Sequence, residues 1–500
     1  MNDRRALLHC NAGVEYGMGH LMRALALAGT AQRRGWNAAI VGDIDEAGID
    51  VVRRLAPDVS VRTARGAELT RELEERASEG IDVVHLDTYW DVPDLTGTGA
   101  LVSNMQDGEY GVRPAHLAID ANLGAEEHFA APELGGARMA GIDAAVIREQ
   151  VLAQRGDRPA PSPHPRILVV MGGTDPHDLT ARVIAALDGI ADRAELTVID
   201  PRGPAAVADA AAASRHDVTV IGFTDDLPAL ARGHDLAVTA AGTSVWDFAC
   251  MGLPMGLVCA ADNQVAGYRE AVGRGVAVGL GEPPYRDLDE RIASLRGLLA
   301  SAEALREESG RLTRVVDGLG AWRIVAAWEQ LLDTPVGPAR DHRPLTVRPA
   351  VMDDAGLLFE WRNDPGTRRG SRSPDELDWD VHRSWLERSL ADTGRRLFVV
   401  ESESGPVATS RWDRLSDTDW ECSITLAPAQ RGHGLAAAVL AAAEDALDLE
   451  SPYRMRADIH VDNPASRRLF ERAGYLPHLP PNDAGFLALA KWRVRPAAAG

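Results

Sequence analysis

His20 stands where a glycine turn meets a helix-like run, and an imidazole in that place can move a proton near neutral pH. Tyr16-Gly17-Met18-Gly19-His20-Leu21-Met22-Arg23 follows the apolar run Ala6-Leu7-Leu8-His9-Cys10 and leads into a helix-like stretch from Leu21 to Gln32. Gly17 and Gly19 let the backbone turn tightly and approach a ligand. The helix start adds unpaired N–H groups and a positive dipole end for an anion. The plainer reading of His20 is a helix cap. Gly242-Thr243-Ser244 also joins a strand to a helix-like run. Its N–H groups and two hydroxyls form a diphosphate cradle, and Gly172-Gly173-Thr174 repeats the arrangement. Asp247, one turn into the helix, can accept both hydrogen bonds of a ribose diol or simply complement the helix dipole. A third constellation is Gln430-Arg431-Gly432-His433-Gly434-Leu435-Ala436, between the strand Glu421-Cys422-Ser423-Ile424-Thr425-Leu426 and an alanine-rich helix. Glu421 on that strand is placed to accept a proton, or is a solvated strand-end acid.

Alternating elements must hold these residues. Over residues 1–158, apolar runs such as Ala38-Ala39-Ile40-Val41-Gly42, Ile81 to Asp87 and Leu117-Ala118-Ile119-Asp120 alternate with charged helix-like segments such as Glu68 to Glu79. That alternation predicts βαβ units and a parallel sheet. Pro159-Ala160-Pro161-Ser162-Pro163-His164-Pro165 reads as a linker, because such a proline density holds neither helix nor inner strand. The pattern restarts at Arg166-Ile167-Leu168-Val169-Val170-Met171 and runs to residue 332. The fold class is α/β, two Rossmann-like halves facing a cleft, with ligands outside the carboxyl ends of the strands. A second linker spans residues 333–344. Residues 345–500 are richer in tryptophan and carry hairpin-like strand pairs around Ser404-Gly405-Pro406, which predicts an α+β domain.

Composition removes other classes. A net charge of −21 disfavours nucleic acid or a membrane surface as partner. Lys491 is the only lysine, so there is no P-loop lysine. Cys10, Cys250, Cys259 and Cys422 lack CxxC spacing, so neither a disulfide framework nor a structural metal site is expected. No apolar run reaches the roughly 18 residues of a membrane span, and the N-terminal run is too short for a signal peptide. A cytoplasmic protein is expected.

Several separated motifs resemble one family. Gly17 to Arg23, Ala118-Ile119-Asp120-Ala121-Asn122-Leu123-Gly124-Ala125, Val170 to Pro176, Ala241 to Asp247, Gly252-Leu253-Pro254 and Ala261-Asp262-Asn263-Gln264 recur in order and spacing. Together they resemble the UDP-2,4-diacetamido-2,4,6-trideoxy-β-L-altropyranose hydrolases of pseudaminic acid biosynthesis, over about residues 6–330. The resemblance implies a MurG-like GT-B fold and metal-independent cleavage of an anomeric C–O bond by water, with release of UDP. It implies that His20, on its turn of Gly17 and Gly19, orients and deprotonates that water. Gly242, Thr243 and Ser244, with Gly173, would hold the diphosphate. Asp247 stands where a glutamate usually meets the uridine ribose. Asn263 and Gln264 would line the sugar or phosphate side, and Asp87 and Tyr89 match an Asp-x-Tyr that faces the sugar. The chain departs from the pattern at Ser103-Asn104, where the family carries paired aspartates and Asp107 comes only later.

The C-terminal motifs resemble the GNAT N-acetyltransferases: the strand ending at Leu426, the Gln430–Ala436 loop, its helix, a strand from Arg456 to Val461, and Asn463-Pro464-Ala465-Ser466 to Tyr475. This implies acetyl-CoA as cosubstrate, held by Leu426, by Gln430, Arg431, Gly432, His433, Gly434, Leu435 and Ala436, and by Asn463 and Ser466. Val347-Arg348-Pro349-Ala350, Asp354 and Trp361-Arg362-Asn363-Asp364 resemble the subgroup acting on nucleotide-linked aminosugars. Phe470 stands where many members carry an acidic tyrosine, so water, another group or Tyr475 would protonate the thiolate. Joined, the two resemblances imply N-acetylation of a UDP-linked 4-amino sugar followed by its hydrolysis. Three alternatives stay open: a GT-B glycosyltransferase with an acceptor hydroxyl at His20, the same chemistry on another aminosugar, and a non-catalytic sugar-nucleotide module.

Overall fold

A computed structural model describes residues 4–493, apart from residues 14, 128–135, 163, 173, 174, 176, 223, 225, 300, 338–343 and 451 and the side chain of Asn263. The first sheet comprises β1 (Arg5–Cys10), β2 (Asn37–Gly42), β3 (Ser60–Thr63), β4 (Val83–Asp87), β5 (Leu101–Gln106), β6 (Leu117–Asp120) and β7 (Ala137–Ala140). All are parallel, in the order β3-β2-β1-β4-β5-β6-β7. Inner strands of such a sheet are covered on both faces, which is why β1 and β4 read as continuous apolar runs rather than alternating ones. The order reverses between β1 and β4, and ligands of doubly wound sheets bind at that reversal.

The second sheet repeats the plan with β8 (Arg166–Val170), β9 (Glu195–Ile199), β10 (Asp217–Ile221), β11 (Leu236–Ala240), β12 (Met255–Val258) and β13 (Val278–Gly281), in the order β10-β9-β8-β11-β12-β13. Its reversal lies between β8 and β11. The chain leaving β8 through Gly172 and the glycine turn after β11 therefore flank the crevice. This is the GT-B arrangement of paired Rossmann-like domains.

One helix does not stay with its own half. Gly320–Asp333 follows the second sheet in the chain, yet its Ala321, Ile324, Val325, Trp328 and Leu331 belong to the first domain's core. The Trp328 ring lies 6.1 Å from Trp36 and 5.6 Å from His85. The helix thus returns across the cleft and ties the halves together.

The third sheet is mixed: β14 (Thr346–Pro349), β15 (Arg395–Ser402), β16 (Gly405–Arg414), β17 (Asp419–Leu426), β18 (Tyr453–His460), β19 (Leu476–Leu479) and β20 (Phe486–Arg493), ordered β14-β15-β16-β17-β18-β20-β19. Its edge strand β19 packs on helix Gly320–Asp333. Arg323, fully buried, knits the junction. It donates to the carbonyls of His478 and Asp143, both at 2.8 Å, and pairs with Asp317. Gln330 Nε2 donates to the Tyr475 carbonyl at 2.7 Å. The acetyltransferase-like domain is therefore docked on the GT-B pair.

Candidate active sites

His20 is the second residue of helix Gly19–Arg33, directly beyond the carboxyl end of β1. Asp87 ends β4, the neighbouring strand, and its register partner is Cys10. The two side chains meet: His20 Nδ1 lies 2.8 Å from Asp87 Oδ1. A carboxylate only accepts, so this contact puts the proton on Nδ1 and leaves Nε2 as the basic nitrogen. Arg23 is three residues on, hence on the same helix face. It grips both oxygens of Asp87, Nε to Oδ2 at 2.8 Å and Nη2 to Oδ1 at 2.7 Å. Arg23 Nη2 also comes within 2.9 Å of His20 Nδ1. Since both groups donate to the same oxygen, that approach is a shared acceptor and not a bond between them. Burial works to raise the Asp87 pKa, but the Arg23 guanidinium outweighs it and holds the carboxyl well below the usual range. Asp87 was expected to face the sugar. At 1% exposure, with both oxygens taken, it instead backs His20.

Tyr89 lies on the open side. It is 42% exposed, and its ring meets His20 edge-on at 4.8 Å between centroids. Its hydroxyl donates to Asp107 Oδ2 at 2.6 Å, and Asn122 Nδ2 donates to Asp107 Oδ1, also at 2.6 Å. Asn122 further bonds Asp120 Oδ1 at 2.9 Å, and burial pushes the Asp120 carboxyl up to about 6. Ser103 and Asn104, the departure from the family pattern, are fully buried in β5. Ser103 Oγ meets His85 at 3.0 Å and Asn104 Nδ2 donates to the Gly111 carbonyl at 2.9 Å. The carboxylate beside Tyr89 is thus Asp107, four residues later in the chain than Ser103.

The two halves touch at their glycine turns. A Cβ built on Gly19 would sit 3.7 Å from Thr243 Cγ2, so the start of the His20 helix faces the start of helix Ser244–Cys250. Gly17 has φ +74°, a left-handed conformation that glycine adopts without strain. Gly242, Thr243 and Ser244 lead into that helix; the Gly242 N–H turns back onto the Ala240 carbonyl at 2.8 Å, and the Val245 and Trp246 N–H groups donate to the Gly242 and Thr243 carbonyls at 3.2 Å. Asp247, the expected ribose ligand, accepts from Arg148 Nη2 of the first half at 2.8 Å, and burial raises its pKa despite Arg148. Gln264 Oε1 is turned onto the Ala260 N–H at 3.0 Å and closes its own loop, rather than extending into the cleft. Asn263 lies in the short turn Asp262–Gln264. Gly173 lies outside the described residues. Among the described residues no group of three or more His, Cys, Asp and Glu side chains is set to hold a metal ion, and no helix is long and apolar enough to cross a membrane.

In the third domain, β17 and β18 pair in parallel only from Asp419 to Glu421, opposite Arg454 to Arg456. Beyond Glu421 the strands part, while the other edge of β17 stays paired to β16 as far as Leu426. That leaves main-chain groups of β17 open to an extended ligand. The following loop carries Gly432 at φ +80° and Gly434 at φ +78°, which turn the chain into helix Ala436–Asp445, begun just past Leu435. His433 is exposed. The Arg431 side chain turns away, pairing with Asp364 and donating to Thr367 Oγ1 at 2.6 Å, so from Gln430 onward the backbone is what the loop offers. Asn463 and Ser466, expected at acetyl-CoA, meet at a helix cap: Ser466 N donates to Asn463 Oδ1 at 3.1 Å. Glu421 accepts from Arg372 Nη2 at 2.6 Å, and the same guanidinium reaches Asp458 at 2.7 Å. Tyr475 is wholly buried against Phe470, 4.9 Å between ring centroids, and is not placed to protonate a thiolate.

Comparison with known proteins separates the two parts. Residues 344–476 match the model of the acetyltransferase (GNAT) domain. The spore coat polysaccharide biosynthesis protein SpsG of Bacillus subtilis (strain 168) is 27% identical over 203 residues, 39% of this chain and 59% of that protein. The chain therefore spans less than two thirds of that relative, which resembles the N-terminal region. Among solved structures, Acinetobacter baumannii MurG is 16% identical with a TM-score of 0.45, covering 66% of this chain and 99% of that one. The Vibrio cholerae spermidine N-acetyltransferase, solved with CoA and spermine, is 20% identical with a TM-score of 0.27, over 30% of this chain and 95% of that one. The C-terminal region is a GNAT acetyltransferase domain.

Proposed function

We propose that the chain performs two successive reactions on one UDP-linked aminosugar, as in a pseudaminic acid-type pathway. The C-terminal domain acetylates the 4-amino group of a UDP-linked dideoxysugar, and the N-terminal pair hydrolyses the UDP-diacetamido-trideoxy product to free sugar and UDP. The observation that carries the hydrolytic half is the His20–Asp87 pair on a turn whose Gly19 lies against Thr243 of the opposite domain. In this reading Nε2 of His20 takes the proton of a water as its oxygen attacks the anomeric carbon. The anomeric C–O bond breaks, and its electron pair leaves on the diphosphate, which the N–H groups and hydroxyls of Thr243 and Ser244, on the turn made by Gly242, stabilise. Asp87 holds the ring in its reactive tautomer. Arg148 positions Asp247 for the ribose.

In the acetyltransferase half, acetyl-CoA when bound supplies an acetyl thioester. The glycine loop before Ala436 fits its diphosphate, and the open edge of β17 up to Leu426 fits its extended amide arm. Glu421, with Arg372, lies at the point where β17 and β18 part and takes the proton of the acceptor amine, directly or through water. Incubating the chain with acetyl-CoA and the UDP-4-amino sugar, and following CoA and UDP separately, tests both halves. Release of both is expected. CoA without UDP overturns the hydrolase, and UDP without CoA overturns the acetyltransferase.

A further inference from the structure

Three aromatic rings stand in the open beside His20. Tyr89, Trp90 and Tyr110 are 42%, 44% and 66% exposed. They form one patch. Tyr89 is the middle ring, 6.3 Å from Trp90 and 5.8 Å from Tyr110 between centroids, and it is the ring that meets His20 edge-on. Trp90 in turn stands edge-on to Tyr16, at 4.7 Å, on the glycine turn that carries His20. A large ring left in water forgoes the burial that aromatic side chains usually achieve, and a contiguous exposed apolar patch marks a contact surface.

The rings are exposed, but the backbone that carries them is pinned. Arg113 Nη2 donates to the carbonyls of Thr88 and Trp90, at 2.8 and 3.2 Å, and so clamps the chain on either side of Tyr89. Tyr110 closes a tight turn. The Asp107 N–H donates to the Tyr110 carbonyl at 3.0 Å and the Tyr110 N–H to the Asp107 carbonyl at 3.1 Å, while the Gly108 N–H donates to Asp120 Oδ2 at 3.0 Å. Asn104 Nδ2 holds the next carbonyl, that of Gly111. A Cβ built on Gly111 would come within 2.9 Å of the Thr88 carbonyl oxygen, so the two loops run backbone to backbone. The Asn104 amide donates where an aspartate carboxylate could only accept. The departure at Ser103-Asn104 thus secures the loop that presents Tyr110. Rings held out on tied loops are a surface formed before its ligand arrives, which lowers the ordering cost of binding.

What the rings accept follows from what surrounds them. Asp107, the carboxylate that touches Tyr89, has one oxygen on the Tyr89 hydroxyl and the other on Asn122. Arg113 is turned onto main-chain carbonyls. A sugar hydroxyl laid on the ring faces gives up water without an equal partner, whereas a methyl gains by leaving water. With His20 at the anomeric carbon and Thr243 at the diphosphate, the far side of the sugar is left to the open flank of His20, where Tyr89 stands. We propose that Trp90 and Tyr110, on either side of Tyr89, are specificity-determining residues of the hydrolytic site, their rings taking the acetamido and methyl substituents of the sugar. The inference rests on the hydrolase reading above and adds how that sugar is told from hydroxylated ones.

The test measures UDP release by the full chain from three donors: the UDP-diacetamido-trideoxy sugar, UDP-N-acetylglucosamine, which carries hydroxyls at carbons 4 and 6, and the UDP-4-amino sugar without acetyl-CoA. Wild type is expected to prefer the first in kcat/KM. In the Trp90→Ala/Tyr110→Ala double variant its preference over UDP-N-acetylglucosamine falls by about tenfold or more, through a raised KM with kcat nearly retained. Inhibition by UDP alone stays as in wild type, because the Gly242–Ser244 turn lies on the other half. The Trp90→Phe/Tyr110→Phe variant, which keeps two rings, retains most of the preference. Equal use of the first two donors by wild type overturns the proposal. So does a UDP inhibition constant that rises with the KM, which assigns the rings to the nucleotide. Preference for the 4-amino sugar over its acetylated form assigns them to an ammonium ion and overturns it too. If the double variant hydrolyses the diacetamido sugar with wild-type KM, only the aromatic pair fails. If wild type releases UDP from none of the three, the hydrolase reading fails with it.

Discussion

Replacing Asp87 by asparagine probes the hydrolytic site with the smallest change of shape. Asp87 offers two acceptor oxygens to three donor contacts, from His20 Nδ1 at 2.8 Å, Arg23 Nη2 at 2.7 Å and Arg23 Nε at 2.8 Å. Asparagine has one acceptor. If its oxygen stays on Arg23 Nε, its NH2 faces His20 Nδ1, the ring shifts its proton to Nε2, and the nitrogen proposed as base becomes a donor. If the oxygen faces His20, Arg23 loses half its clamp. Wrong-tautomer losses at comparable histidines run to about 10²- to 10⁴-fold in kcat, and UDP release is expected to fall in that range. Breaking a buried ion pair costs about 3–5 kcal/mol. Arg23 is 24% exposed and can regain some water, so the cost here falls near or below the lower end, about 2–3 kcal/mol. The sign of its pH dependence follows from the depressed carboxyl. The wild-type advantage is full above the ordinary aspartate pKa of about 3.9 and shrinks as pH falls below it. The assay is steady-state UDP release, with CoA release from the docked third domain as the internal control for folding. UDP release near the wild-type rate from a folded Asp87→Asn chain would refute the orientation of His20 by Asp87.

Other perturbations follow from the same geometry. Asp120, raised by burial to about 6, binds its proton more tightly folded than unfolded, so its contribution is greatest below about pH 4 and declines toward pH 6. Wild type should therefore lose about 2 kcal/mol of stability relative to Asp120→Asn from pH 4 to pH 7 in denaturant titrations, and a constant difference contradicts the buried carboxyl. Gly434→Ala places a side chain at φ +78° and should cost about 1 kcal/mol while raising the KM for acetyl-CoA and leaving UDP release from the ready-made UDP-diacetamido sugar unchanged. Arg323→Met removes the buried clamp among Asp143, Asp317 and His478. It should loosen the third domain, read as faster proteolysis between residues 333 and 345, and an unchanged cleavage rate would show that apolar packing on β19 suffices.

The parallel sheets were legible because strands covered on both faces must be apolar throughout, as Leu7-Leu8 and Val83-Val84 are. The glycine turns were legible because a reversal of strand order puts them beside a crevice. Arg23 was within reach too, since i and i+3 share a helix face with His20. What the chain does not show locally is which partner a side chain meets after folding. Asp87 sits in an Asp-x-Tyr segment that reads as one ligand-facing unit, yet β4 ends at Asp87, which lies beneath His20, while Tyr89, past the strand end, is exposed. Arg148 and Asp247 meet across 99 residues, and Arg372 reaches Glu421 across 49. Nothing local to helix Gly320–Asp333 shows that its apolar stripe belongs to the first domain's core. Tyr475 follows a glycine near the chain's acetyltransferase motif, and only the packing of Phe470 against it reveals a core residue.

The most direct measurement is the split of the two products in the His20→Ala chain, given acetyl-CoA and the UDP-4-amino sugar together. Removing a positioned base typically costs about 10²- to 10⁴-fold. The account predicts wild-type release of CoA, accumulation of the acetylated UDP-sugar, and UDP release reduced by that factor. UDP release at the wild-type rate from this chain would contradict it.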